Sequence, residues 1–266
     1  MMEEALVRLR GAKKYADVCP DTLDRVLAEA FSRHKKPKDA EKAAREALHA
    51  ITGAFMGPDE LKKARELLLG GDAAGALRLH ASTRERMPLD AFYGALWGRI
   101  GKPRRVLDLA CGMNPVYLAS VEIDVLGADI SGAQARLVNE WAQAAGVSAR
   151  VEVRDLLCPG AVPKERFDAA LAMKLLPVLE TQKKGAASAL LHAVNAACLA
   201  VTFPTRTLGG RSVGMERYYS EWFEALEKPD WTIEARYVLN GELVYLLKEA
   251  RNAEAVRGGD AHRESE

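Results

Sequence analysis

The sequence of 266 residues predicts an α/β fold with a helical N-terminal extension, and three observations carry that prediction. Residues 105–118, RVLDLACGMNPVYL, read as a short buried strand that breaks into a small-residue turn and then a helix. A second apolar run, VLGADI at 125–130, ends in a carboxylate, Asp129. From Arg105 onward, strand-like runs alternate with helical patterns, as in a mostly parallel sheet covered on both faces.

Residues 1–78 are rich in Ala, Leu, Lys and Glu, and stripes such as Leu23, Val26, Leu27, Ala30 and Phe31 recur at helical spacing. Cys19-Pro20-Asp21, Lys36-Pro37 and Gly57-Pro58-Asp59 punctuate them into several amphipathic helices. Residues 73–98 also read as helical, with a break at Met87-Pro88. Strands are expected at 105–110, 125–130, 149–154, 167–173, 197–203, 231–238 and 243–248, and helices at 132–145, 183–196 and 215–227. Leu239-Asn240-Gly241 separates the last two strands, and Asn-Gly there signals a hairpin, so the sheet is expected to end in an antiparallel strand. The polar residues 251–266 read as a disordered tail. The expected organisation is therefore a helical unit over 1–78, an α/β domain over 79–250 and a tail over 251–266.

Composition narrows the function classes. A net charge of +1 gives no global attraction to nucleic acid, so such a partner must be met by a local patch. The cysteines Cys19, Cys111, Cys158 and Cys198 lack metal-ligand spacing, and no metal is expected; a reduced cytoplasmic setting fits them. The start, MMEEALVRLRGAKKY, has acids and no apolar signal core. The apolar stretch 186–201 is interrupted by Ser188, His192 and Asn195 and is too short to span a bilayer, so a soluble protein is expected.

The turn after the first strand chooses between two nucleoside cofactors. A dinucleotide needs G-x-G-x-x-G and free amides for its pyrophosphate, but here Asp108 precedes the turn and Gly112 alone remains of the glycines. S-adenosylmethionine carries a sulfonium and an ammonium, which a carboxylate near the strand end favours. Ala110 and Gly112 let a ligand approach the backbone, and Pro115 can begin the next helix. Asp129, roughly 20 residues beyond, is placed to hold ribose hydroxyls. This is the pattern of a Rossmann-like class I S-adenosylmethionine-dependent methyltransferase.

Five motifs, LHASTRER (79–86), DLACGMNP (108–115), RDLL (154–157), LAMKLLPVLE (171–180) and FPTRTLGGRSVGM (203–215), run in order over most of the chain. Together they resemble the aminoglycoside-resistance 16S ribosomal RNA methyltransferases of the Arm/Rmt type. The resemblance implies methylation of N7 of one decoding-site guanine of the small (30S) ribosomal subunit, S-adenosylmethionine as donor, S-adenosylhomocysteine as product, and resistance to 4,6-disubstituted deoxystreptamines such as gentamicin and kanamycin. Phe55 departs from the tyrosine expected in this family, which leaves a hydroxyl role there in doubt.

On that resemblance, the cofactor falls to Phe55, His80, Ser82, Thr83, Arg84, Asp108, Ala110, Gly112, Asn114, Asp129, Ile130, Asp155, Leu156, Met173 and Gln182. Bland readings stand beside several of these. Asp129 could cap the next helix, although Ser131 could do so instead. Asp155, the candidate for the adenine amino group with Leu156 packed on the ring, could simply form a turn. Thr83 and Arg84 could hold the cofactor carboxylate, while Ser82 with Glu85 is also a capping-box pattern. His80 reads as a packing residue, and Cys111 as a small turn residue with no base to activate it.

The target nucleotide falls to Lys174, Arg206, Arg211 and Met215, with Trp222 equally readable as helix core. Lys13, Lys14, Arg33, Lys35, Lys36, Lys38, Lys62 and Lys63 are the candidate RNA contacts of the helical unit; by composition alone they read as solvated helix ends nearly cancelled by Asp17, Asp39 and Glu41. Guanine N7 carries an in-plane lone pair and no proton, so no general base is expected, and alignment must supply the catalysis. A monomer without an obligatory protein partner is expected. The alternatives are a small-molecule S-adenosylmethionine-dependent methyltransferase and a non-catalytic, S-adenosylmethionine-binding RNA-binding protein.

Overall fold

The computed structural model describes residues 2–52, 56–205 and 214–250. The helices are α1 (Met2–Gly11), α2 (Pro20–Arg33), α3 (Pro37–Thr52), α4 (Pro58–Leu69), α5 (Ala73–Leu79), α6 (Ala81–Glu85), α7 (Leu89–Ile100), α8 (Asn114–Ser120), α9 (Gly132–Ala145), α10 (Leu176–Gln182), α11 (Ala186–Ala193) and α12 (Met215–Ala225). The strands are β1 (Arg105–Leu109), β2 (Asp124–Asp129), β3 (Ala149–Val153), β4 (Phe167–Met173), β5 (Ala196–Pro204), β6 (Trp231–Leu239) and β7 (Glu242–Glu249), with β3-β2 adjacent in one unit and the order β1-β4-β5-β7-β6 in the other. Two compact units make up the chain, Met1–Arg84 with Cys111–Cys158 and Glu85–Ala110 with Pro159–Glu266.

In the first unit, prolines start α2, α3 and α4, where a missing amide donor costs nothing. Of the expected stripe of α2, Leu23, Val26, Leu27 and Ala30 are buried in one core with Ala5 and Leu9 of α1 and Ala40, Ala44 and Leu48 of α3, and Phe31 is partly buried against it. Strands β2 and β3 pair in parallel from Val125 opposite Ala149 to Asp129 opposite Val153. Helix α9 opens on Ser131, whose hydroxyl accepts the Gln134 amide, and closes on Gly146 in the left-handed region.

In the second unit, β4 pairs in parallel with both β1 and β5, and β7 runs antiparallel between β5 and β6. The hairpin is the expected one, with Asn240 at φ 48 and Gly241 at φ 75, both in the left-handed region that a tight Asn-Gly turn needs. Phe203, Phe223 and Tyr245 form its aromatic core, with the Phe223 and Tyr245 ring centroids 4.7 Å apart. The helix expected at 183–196 is the shorter α11, and α10, which precedes that span, was not expected. Pro177 starts α10, Gly185 at φ 82 separates it from α11, and the chain is already extended at Val194 before β5. Among the described residues no helix is long and apolar enough to cross a membrane, and no cluster of His, Cys, Asp or Glu could hold a metal.

Candidate cofactor and target-nucleotide residues

In the first unit, the turn after β1 closes on the end of β2. Cys111 donates its amide to the Ala128 carbonyl at 3.1 Å, and Gly112 donates its amide to Asp129 Oδ2 at 2.8 Å. Ser131 donates its amide to Asp129 Oδ1 at 2.8 Å. Ser131 is itself the cap of α9, so Asp129 does not cap that helix. A carboxylate has about four lone-pair sites, so these two amides leave room for a further donor. Burial pushes the Asp129 carboxyl above its ordinary value, against the amides of Ser131, Gly112 and Ile130, which pull it down. Gly112 sits at φ 51, and a Cβ there would lie 2.6 Å from the His80 ring, so this glycine is required twice over. Cys111 is buried, and its sulfur would lie 2.7 Å from a Cβ at Gly127, which fits a small packing residue.

The LHASTRER segment corrects one expectation. Ser82 lies inside α6, and the ring of His80, just before that helix, meets the Thr83 hydroxyl at 2.9 Å and accepts the Thr83 amide at 3.4 Å. The helix start is therefore held by His80 rather than by a Ser82–Glu85 capping box. Thr83 is 1% exposed with its hydroxyl on His80, whereas Arg84 is exposed and donates to the Arg78 carbonyl at 3.4 Å. Asn114 is buried at the start of α8, and Ile130 and Leu156 are partly exposed.

Asp155, 3% exposed, follows β3 and does form a turn, since its Oδ1 accepts the Leu157 amide at 2.9 Å. Its Oδ2 accepts from Arg25 Nε of α2 at 2.8 Å, a contact that sequence reasoning missed. A second tie links the same region to the end of β2: Cys19 donates its amide to the Ile130 carbonyl at 2.8 Å, Gly132 donates to the Asp17 carbonyl at 2.6 Å, and Val18 bridges Ser131.

In the second unit, β1 and β4 lie side by side, and ligands of open α/β sheets bind beyond the carboxyl ends of the strands. Both strands leave the sheet through a non-glycine residue at φ 55, Ala110 after β1 and Lys174 after β4. Asp108 is buried within β1, and Met173 is buried at the end of β4. Lys174 is anchored by its amide, which donates to the Thr202 carbonyl at 3.0 Å and hydroxyl at 3.1 Å. Its ammonium pairs with Glu85 and lies 3.2 Å from Glu242 Oε1. Glu242 Oε1 also accepts from Arg86 Nε at 3.0 Å, and both members of that pair are buried. This cluster too was missed, because nothing in the spacing brings Glu242, just after the hairpin turn, to Arg86 and Lys174. Gln182 ends α10 with its amide on the Val178 carbonyl, Met215 begins α12, and Trp222 packs edge-on against Phe203. Trp222 is thus part of the helix packing.

Phe55, Arg206 and Arg211 lie outside the described residues. Lys13, Lys14, Arg33, Lys35, Lys36, Lys38, Lys62 and Lys63 are all exposed. Around Pro37, Arg33 pairs with Glu29. Glu41 pairs with Arg8 and Arg45, Asp17 pairs with Arg136, and among the described residues Lys35, Lys36 and Lys38 have no ion-pair partner.

A family model described as "Ribosomal RNA methyltransferase (FmrO)" matches residues 10–246. The chain belongs to this family. A 16S rRNA (guanine(1405)-N(7))-methyltransferase of Serratia marcescens is 43% identical over 93% of this chain and 98% of its own length. The crystal structure of the 16S rRNA methyltransferase RmtF in complex with S-adenosyl-L-homocysteine is 50% identical, with a TM-score of 0.86 over 94% of this chain and 98% of that one. The 16S rRNA methylase RmtB is 40% identical with a TM-score of 0.85 over 94% and 98%. These matches run through the helical extension as well as the sheet, so the FmrO-family fold here is the expected Rossmann-like one with its N-terminal helices.

Proposed function

We propose that this FmrO-family enzyme transfers a methyl group from S-adenosylmethionine to N7 of guanine 1405 of 16S rRNA and so confers aminoglycoside resistance. The observation that carries the reading is the turn closed on Asp129: a carboxylate oriented by the Gly112 and Ser131 amides suits ribose hydroxyls, and a single glycine does not suit a pyrophosphate. The donor set fits the cofactor, since Asp108, Asp129 and Asp155 are acidic and the cofactor presents hydroxyls, an amino group and cationic centres. When bound, the cofactor supplies an electrophilic methyl group.

On this reading Asp129 holds the ribose and Asp155 the adenine amino group. Gly112, Ala110, Asn114, Ile130, Leu156, Met173 and Gln182 shape the cofactor's surroundings, with Phe55, His80, Ser82, Thr83, Arg84 and Asp108 at its amino-acid end. Lys174, Arg206, Arg211 and Met215 hold the target nucleotide. No side chain needs to remove a proton, because guanine N7 has none. The residues orient the base and exclude water, and alignment of this kind corresponds to effective molarities of roughly 10⁵–10⁸ M.

The same reading takes residues 1–78 as the unit that docks on the 30S subunit, 79–250 as the methyltransferase domain and 251–266 as a tail, in a monomeric cytoplasmic enzyme. Replacing Lys35, Lys36 and Lys38 together with Glu is expected to weaken subunit binding and to flatten its salt dependence by roughly 0.7–0.9 in log–log slope for each phosphate that is no longer neutralised. Filter binding over a salt series checks this, and an unchanged slope removes the cluster from the interface.

Product chemistry tests the function directly. N7 methylation makes guanine cationic and open to borohydride reduction, so aniline should then cut small-subunit RNA treated with enzyme and donor at one decoding-site guanine, located by primer extension. A methyl on adenine N1, on a ribose or on a small molecule would refute the proposal.

A further inference from the structure

We infer that Arg25, on the N-terminal helix α2, is a positioning residue that aims the Asp155 carboxylate and thereby sets the enzyme's preference for an adenine over a 6-oxopurine cofactor; this rests on the reading of Asp155 given above. The Asp155 carboxylate is gripped at both ends. Leu157 donates its amide to Oδ1 at 2.9 Å, and Arg25 Nε donates to Oδ2 at 2.8 Å. The first bond is local and forms wherever the turn forms. The second comes from a different element and fixes the rotation of the carboxylate plane, which the turn alone leaves loose.

Arg25 is well placed for this task. Its side chain is 20% exposed against 3% for Asp155, so the pair is largely out of water, where a charge-assisted bond is worth more than at the surface. The neighbouring thiol senses the same group: burial pushes the Cys158 thiol up, the charges of Asp155 and Asp21 add to that, and Arg25 opposes them. A carboxylate has about four lone-pair sites, and Leu157 and Arg25 take one on each oxygen. What is left is an acceptor of fixed direction. A 6-amino group donates to it, and the 6-oxo group of inosine meets it acceptor to acceptor.

The test measures the affinity of the full-length protein for S-adenosylhomocysteine and for S-inosylhomocysteine by calorimetry, alongside the melting temperature. Wild type should prefer the adenine ligand on the order of a hundredfold, and Arg25→Met should shrink that preference to on the order of tenfold. Arg25→Lys, which restores a cation and a donor, should recover part of it. Equal loss for both ligands, or no change in the preference, would overturn the inference, because a merely structural residue moves stability or both affinities together. Asp155→Asn separates the two readings. If it alters the preference and Arg25→Met does not, Asp155 stands as the adenine contact and Arg25 falls; if wild type shows no preference, both fall.

Discussion

Asp129→Ala is expected to raise the Kd for S-adenosylmethionine on the order of a hundredfold, about 3 kcal/mol, because it removes two hydrogen bonds to a charged acceptor. The loss should be in affinity, with the fold kept, and calorimetry with the melting temperature as control checks both. Asp129→Asn should not rescue. Asp129 uses one oxygen for Gly112 and the other for Ser131, and an asparagine has one oxygen only, so its amino group must face one of the two backbone donors. The affinity should also depend on pH. Burial holds the Asp129 carboxyl above its ordinary value, so on acidification the ionised acceptor is lost at a higher pH than for an ordinary aspartate, and affinity should fall there. For the free protein the sign is opposite. A carboxyl whose pKa is higher folded than unfolded costs stability at neutral pH, and that cost is relieved as pH falls through the folded value. Unchanged affinity in folded Asp129→Ala would remove the residue from the cofactor set.

Glu242→Gln is expected to lower the stability of the protein by about 3–5 kcal/mol, the usual cost of stripping one member from a buried ion pair. Arg86 is 3% exposed and Glu242 1%, so the guanidinium left behind has little access to water. Burial opposes the charge on Arg86, yet Glu242, with Tyr93 and Asp108, holds its pKa above the ordinary value. Glu242 Oε2 has no hydrogen-bond partner among the described residues, so the pair is costly to keep as well as to break. The compensated variant Arg86→Met with Glu242→Gln should therefore recover part of the loss, since Lys174 keeps Glu85 while Asp108 loses the nearby charge of Arg86. Denaturant unfolding of the single and double variants measures both. A single variant as stable as wild type would show the pair to be worth nothing net.

The legible parts of this protein were those whose physics is local. The strand, turn and helix at 105–118 were readable because small residues and a proline fall where the chain must bend, and Asp129 because it ends an apolar run. Helix α9 matched its expected bounds because Ser131 and Gly146 mark its ends. Arg25 was not legible. The buried stripe of α2 is Leu23, Val26, Leu27 and Ala30, which puts Arg25 on the polar side, and nothing in the spacing says that side meets the end of β3. His80 was read as packing because capping by a histidine ring has no common signature, while the Ser82–Glu85 spacing has one. The ion pairs around Pro37 were not legible either, because acids near in sequence need not be partners: Glu41 pairs with Arg8 of α1 and Arg45 of its own helix, and Asp17 with Arg136 of α9.

The antiparallel bridge between Val18 and Ser131 makes a small clock. The Cys19 amide ends on the Ile130 carbonyl and the Gly132 amide on the Asp17 carbonyl, so neither proton can be traded for deuterium until the two segments part. Amides far apart in sequence thus report one opening event, and their exchange rates should rise and fall together. Asp129 lies one residue from that seam. Whatever fastens its carboxylate should slow both amides alike, which lets occupancy beside Asp129 be timed from the N-terminal helices.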